Sequence, residues 1–319
     1  KAVEDGVKSS GSKRGMAVVL DVATGGVLAA VNYPSFDPGQ KSVAAEIRKN
    51  HVFTDLLEPG STFKPVSMAY VLENHGADNI AEVNTAPGVW TLQKNTVKDV
   101  RNFGVLKVDD ILMRSSNIAI AKLVLRCKQD FSAWLQDVFH VGARSLPDYP
   151  GEPNGRVNHP RLNQSFDIAT MSYGYGVNMT VLQLATAYLQ IANGGYTHQV
   201  HLVRGDTPAG GEQIIGDKTI ARLKKMMRKV VSSKGTGRLG QVDGVEVAGK
   251  TGTTHVYTEK GYAKERYIAS FSGFAPLDKP KYVITVVMEE PDKSRHYGGQ
   301  VAAPVFGEIL FNLLYLEAR

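Results

Sequence analysis

Apolar residues crowd the two ends of the chain in strand-length runs and recur with helical spacing between them. MAVVLDV at 16–22 and VLAAVNY at 27–33 flank ATGG and predict a β-hairpin. VEVAGKTGT from 245, RYIASFSGFA from 266 and KYVITVVME from 281 predict three further strands, with a Gly-containing turn near 258–262. Between these ends the spacing predicts helices at 61–74, closed by Asn-His-Gly, and at about 118–127, 131–139, 179–192 and 217–232. VAAPVFGEILFNLLYLEA, residues 301–318, predicts a long amphipathic helix. Residues 34–57 read as a polar excursion. LPDYPGEPNGRVNHPRLNQ, residues 146–164, reads as surface loop because Gly, Pro and Asn interrupt any period. Strands from the two ends can share one antiparallel sheet, covered by terminal helices, with a helical region inserted between them. The expected class is therefore α/β in the α+β sense. Residues 1–15, KAVEDGVKSSGSKRG, read as the remnant of a preceding helix and a flexible Ser/Gly/Lys linker, leaving 16–319 as the domain.

Composition narrows the classes. A chain of 319 residues with 43% hydrophobic content buries a full core. The formal net charge of +6 is mild and its bases are interspersed with acids, which leaves room for a membrane surface as partner. It offers no basic, aromatic-laced patch for nucleic acid. The single cysteine, Cys127, excludes an intrachain disulfide, and its apolar setting in IAIAKLVLRC marks a packed thiol. No run approaches the roughly 20 apolar residues that span a bilayer, and the chain starts at Lys, so it reads as a fragment of something longer.

The candidate chemistry begins at EPGSTFKP, residues 58–65. A helix starting at Ser61 puts the Ser61 hydroxyl and the Lys64 amine one turn apart on one face. Pro59 and Gly60 stop it extending backwards, and Pro65 is tolerated in the first turn. A serine hydroxyl needs a proton acceptor beside it. Lysine serves only when neutral, which requires its pKa to fall by about 3 units through burial and a second nearby cation. Alone, S-x-x-K occurs often by chance, and a capping serine beside a surface lysine is the more common reading. RSSNIAIAK adds Ser115 and Asn117 just before a helix, and AGKTGTT adds Lys250, Thr251, Gly252 and Thr253 on a strand. S-x-x-K, S-x-N and K-T-G in this order form the signature of penicillin-binding proteins and class A β-lactamases.

With those motifs, VVLDVATGGVLAAVNYPSFDP, YGYGVNMTVLQLATAY and YGGQVAAPVFGEIL, nearly the whole chain resembles the transpeptidase domain of a class B penicillin-binding protein, in its division-specific branch, penicillin-binding protein 3. The resemblance implies the penicillin-binding protein/serine β-lactamase fold and a D,D-transpeptidase acting on the D-Ala-D-Ala ends of peptidoglycan stem peptides and acylated by β-lactams. It implies Ser61 as nucleophile, Lys64 as its base, Ser115 as proton relay, Asn117 as a hydrogen-bonding partner of substrate and Lys64, and Lys250 as electrostatic support. Thr251 and Thr253 would bind the substrate carboxylate, Gly252 would leave room for substrate along the strand, and the N–H groups of Ser61 and Thr253 would form the oxyanion hole. Implied surroundings are the periplasmic face of the inner membrane, an N-terminal anchor absent from this chain, a glycosyltransferase and other division proteins. No cofactor and no metal are expected.

Several features point elsewhere and carry less. Glu152 in GEPNG suggests the deacylating glutamate of a class A β-lactamase, but the spacing beyond it departs from Glu-x-x-x-Asn. GTGRLG at 235–240 matches G-x-G-x-x-G yet follows a helix instead of a strand. His198 and His201 form H-x-x-H without companion ligands. The absence of a G-x-S-x-G elbow leaves a Ser-His-Asp hydrolase unsupported. The readings that compete with a transpeptidase are a D,D-carboxypeptidase or β-lactamase-like hydrolase, and a noncatalytic scaffold or β-lactam-sensing domain.

Overall fold

The computed structural model describes residues 1–37, 39–40, 42–75, 79–158, 165–203, 211–259 and 261–317. Strands β1 (Arg14–Asp21), β2 (Val27–Tyr33), β3 (Ala248–Thr258), β4 (Gly261–Ala275) and β5 (Tyr282–Glu289) form one sheet in the order β2-β1-β5-β4-β3, with every neighbouring pair antiparallel. β1 pairs with β5 from Arg14 opposite Glu289 to Asp21 opposite Tyr282, so the two chain ends zip together and the middle of the chain is inserted between them.

The helices that position the site or cover the sheet are α1 (Ala2–Ser10), α2 (Lys64–His75), α3 (Asn117–Val124), α4 (Phe131–Phe139), α5 (Val181–Ala192), α6 (Asp217–Val231) and α7 (Gly298–Glu317). The central strands are buried on both faces, which explains their unbroken apolar runs. Met16, Val18 and Leu20 join the core shared with the inserted helices, whereas Ala17 and Val19 join a second core under α1 and α7. In β5, Val283 and Val287 face the first core and Ile284, Val286 and Met288 the second.

Three sequence expectations change. The helix expected within residues 1–15 is present as α1, but it is packed into the domain instead of leading into a free linker: Val3 and Val7 are buried in the second core, and a side chain on Gly6 would collide with Val305 of α7. Gly11 caps α1 in the left-handed region at φ 63, and the buried Ser10 and Ser12 hydroxyls bond at 2.7 Å. The end of the 34–57 stretch is also anchored, since His51, Val52, Phe53 and Leu57 are buried and Leu57 exchanges backbone hydrogen bonds with Met179 at 2.9 and 3.0 Å. Finally, Gly298–Leu316 is long and apolar enough to cross a membrane by length and composition, contrary to the reading that no run approaches that length. Its inward face is taken up by the second core through Val301, Ala302, Val305, Phe306 and Leu310. The Gly76 that was expected to close α2, and part of the 146–164 loop, lie outside the described residues.

Candidate active site

Ser61 sits in one turn of 3-10 helix, Gly60–Phe63, that feeds directly into α2. In 3-10 geometry side chains three apart eclipse one another, which stacks Ser61 over Lys64. The Pro-Gly step makes this entry: Pro59 holds φ −68, and Gly60 turns the chain at φ +54, where a side chain would run into Thr254. Lys64 is fully buried. Its Nζ lies 3.0 Å from Ser61 Oγ, 2.6 Å from the Ser115 carbonyl, 2.7 Å from Asn117 Oδ1 and 3.2 Å from Ser115 Oγ. The carbonyl and the amide oxygen only accept, so a neutral amine spends its two N–H groups on them and keeps its lone pair for a hydroxyl.

Ser115 holds the left-handed conformation at φ 57 between the short helix Ile111–Arg114 and α3. This bend turns both its carbonyl and its hydroxyl toward the lysines. Ser115 Oγ also accepts from Lys250 Nζ at 2.9 Å, so it bridges the two amines. Burial drives the Lys64 pKa down to about 7, against the opposing pull of Asp99. Lys250, also fully buried, is pushed well below the ordinary lysine range by burial and then by the charge of Lys64. Two ammoniums sharing one hydroxyl in a dry site repel, so one of the pair is neutral unless an anion arrives.

Strand β3 lies at the free edge of the sheet, with the Ser61 turn against it. Thr254 abuts Gly60, and an added Cβ on Gly252 would meet the Thr62 methyl at 3.0 Å and Pro59 O at 3.2 Å. The missing side chain of Gly252 admits the Ser61 turn and Ser270. Thr253 Oγ1 accepts from the Gly298 N–H at 3.0 Å, and Thr251 Oγ1 pairs with Thr236 Oγ1 at 2.8 Å.

Beside Asn117 and Thr254 opens a cleft of about 1260 Å³, walled by Tyr173, Tyr175, Tyr257 and Tyr262. Glu58 stands in it, accepting from the Gly176 N–H at 2.7 Å and from the Tyr262 hydroxyl at 2.8 Å. Sequence reasoning missed Glu58, Asp99 and Thr236. Asp99 Oδ1 accepts from the N–H groups of Asn117 and Ile118 at 2.6 and 3.1 Å, and Oδ2 accepts from Ser116 Oγ at 2.6 Å, which fixes the start of α3. It comes from a separate strand-loop segment, so no local spacing announces it. Thr236 belongs to the G-x-G-x-x-G letters, which form a turn after α6.

The other decoys have structural occupations. Glu152 is 1% exposed and accepts from Ser145 N at 3.0 Å, Leu146 N at 2.7 Å and Gln183 Nε2 at 3.0 Å, so it pins its own loop and does not line the cleft. His198 Nε2 meets Ala23 O at 3.1 Å, and the His201 backbone bonds to the β1–β2 turn. Glu46, His51 and Asp55 converge, a grouping not foreseen, but Arg14 Nη1 lies 3.2 Å from His51 Nδ1 and its Nη2 3.3 Å from Asp55 Oδ2.

The penicillin-binding protein transpeptidase domain family matches residues 15–311. A probable peptidoglycan D,D-transpeptidase PenA of Neisseria flavescens is 35% identical over 305 residues, 94% of this chain and 74% of that protein. The peptidoglycan D,D-transpeptidase FtsI of Escherichia coli K12 is 31% identical over 315 residues, 98% of this chain and 53% of that protein. The chain thus spans about half the length of several such relatives. The apo transpeptidase domain of Burkholderia pseudomallei penicillin-binding protein 3 superposes with a TM-score of 0.88 at 33% identity, covering 99% of this chain and 92% of that one. The bridged Ser61, Lys64, Ser115 and Lys250 thus lie in a fold shared over almost their whole lengths, and the chain belongs to the transpeptidase domain family of penicillin-binding proteins.

Proposed function

We propose that this chain is a peptidoglycan D,D-transpeptidase domain working in septal wall synthesis through a serine acyl-enzyme. The observation that carries the reading is the fully buried Lys64 Nζ, 3.0 Å from Ser61 Oγ, with Ser115 Oγ linking it to Lys250. Neutral Lys64 takes the Ser61 proton as Oγ attacks the penultimate D-Ala carbonyl, and the N–H groups of Ser61 and Thr253 receive the developing oxyanion. Ser115 hands a proton to the departing amine, and the last D-Ala leaves. Lys250, recharged by the incoming carboxylate, holds it with the Thr251 and Thr253 hydroxyls. Asn117 positions the donor amide and Lys64. An amine from a neighbouring stem peptide then takes the acyl group, closing a crosslink without ATP.

β-Lactams acylate the same serine. Stem peptides and β-lactams are the direct ligands. A glycosyltransferase, other division proteins and a membrane anchor on the periplasmic side are the wider setting the reading implies. The D,D-carboxypeptidase or β-lactamase-like alternative differs only in passing the acyl group to water, and Glu152, held by three N–H donors, gives it no base. The test is peptide mapping after labelling with a fluorescent penicillin. The expected result is a stable adduct on Ser61, absent from Ser61→Ala. Label elsewhere, or an adduct lost within minutes, overturns the reading.

A further inference from the structure

The cleft beside Ser61 contains four carboxylates, from Asp55, Glu58, Glu289 and Glu290. Three are matched by cations. Arg14 lies 3.3 Å from Asp55 and 2.7 Å from Glu289, and Glu290 holds Lys13 at 2.8 Å and Arg266 at 2.6 Å. Glu58 differs. Among the described residues its partners are neutral: the Gly176 N–H and the Tyr262 hydroxyl. It stands three residues ahead of Ser61, on the wall that Asn117 and Thr254 also line. A carboxylate has about four lone-pair sites, so two neutral donors leave acceptor capacity open.

We propose that Glu58 is the ammonium-recognition residue of the acceptor subsite, holding the incoming primary amine against the acyl-enzyme. This rests on the transpeptidase reading and adds what that reading lacks, a place for the second substrate. At neutral pH an aliphatic amine arrives as R–NH3⁺ and must be held where its nitrogen can reach the ester on Ser61. Glu58 supplies the one carboxylate of this cleft, among the described residues, that is not already neutralised. The ammonium loses one proton to solvent, and the amine nitrogen attacks the acyl carbonyl. As the C–N bond forms, the C–Oγ bond of Ser61 breaks, and a second ammonium proton passes through Lys64 to Oγ. The amide keeps the third, so atoms and charge balance.

The experiment measures the partition of one acyl-enzyme between water and an amine. The donor is a D-alanyl thioester peptide, the acceptor is D-alanine, and the readout is the ratio of transfer to hydrolysis against acceptor concentration. Glu58→Gln keeps an oxygen for the Gly176 N–H and an NH2 group facing the Tyr262 oxygen, so the clasp can persist while the charge is removed. The expected result is a fall of roughly 10- to 100-fold in acceptor efficiency. Tyr262→Phe removes a donor to Glu58 without changing its charge, and is expected to keep the ratio within about twofold. An undiminished ratio in Glu58→Gln refutes the subsite. Equal loss in Tyr262→Phe shows that Glu58 acts only as a structural clasp, which also refutes it. A wild-type protein that acylates but passes its acyl group solely to water refutes the crosslinking reading itself, a result distinct from either.

Discussion

Lys64→Arg separates a proton acceptor from a mere positive charge. Lowering the Lys64 pKa from 10.5 to about 7 corresponds to about 5 kcal/mol of disfavour for the ammonium, supplied by burial and partly offset by Asp99. Neutral Lys64 then makes up about one tenth of the population at pH 6, half at pH 7 and about nine tenths at pH 8. The second-order rate of β-lactam acylation should accordingly rise about tenfold between pH 6 and pH 8 in the wild type. Arginine remains protonated throughout, and its larger fork must enter a site where Nζ already has oxygens at 2.6–3.2 Å. Lys64→Arg should therefore lose on the order of 10² to 10⁴ in rate and lose the pH dependence with it. Lys250→Arg should lose less, because the demand there is for a cation facing a carboxylate. The assay is stopped-flow acylation with a chromogenic β-lactam across this pH range, after thermal melts confirm folding. Near-normal acylation by Lys64→Arg, or a wild-type profile flat from pH 6 to 8, would refute Lys64 as the base. The same shift has a stability sign: between pH 7 and 10.5 the unfolded lysine binds the proton that the folded one releases, so this residue's contribution to stability improves as pH rises through that window.

Asp99→Asn keeps acceptors for the α3 N–H groups but removes the charge that raises the Lys64 pKa, so the acid limb of acylation should move to lower pH and the pH 8 to pH 6 rate ratio should shrink. An unshifted limb in pH-resolved kinetics would show that Asp99 does not act on Lys64 electrostatically. Glu152→Ala should strip three N–H groups of their acceptor, costing about 3 kcal/mol or more and lowering the melting temperature by several degrees. The persistence of its penicillin adduct, followed by intact mass over hours, should match the wild type; a changed lifetime would restore a deacylating role.

The sequence by itself determined the strands, the main helices and the motif residues, because each is written in local terms. Period and turn chemistry mark the β1–β2 hairpin, apolar spacing marks α4 and α5, and three short motifs name Ser61, Lys64, Ser115, Asn117 and Lys250. Only tertiary structure decided how these motifs meet. Ser115 reaches both lysines because its left-handed bend turns two oxygens inward, and the Lys64 pKa falls because packing removes its water. Asp99 and Glu58 were illegible for the same reason. Their partners, Asn117 and Tyr262, lie 18 and 204 residues away in the chain, and a single carboxylate carries no local pattern. Residues 1–15 misled because Ser and Gly favour linkers in isolation, whereas here Val3, Gly6 and Val7 meet the sheet and α7, contacts between opposite ends of the chain that no local window contains.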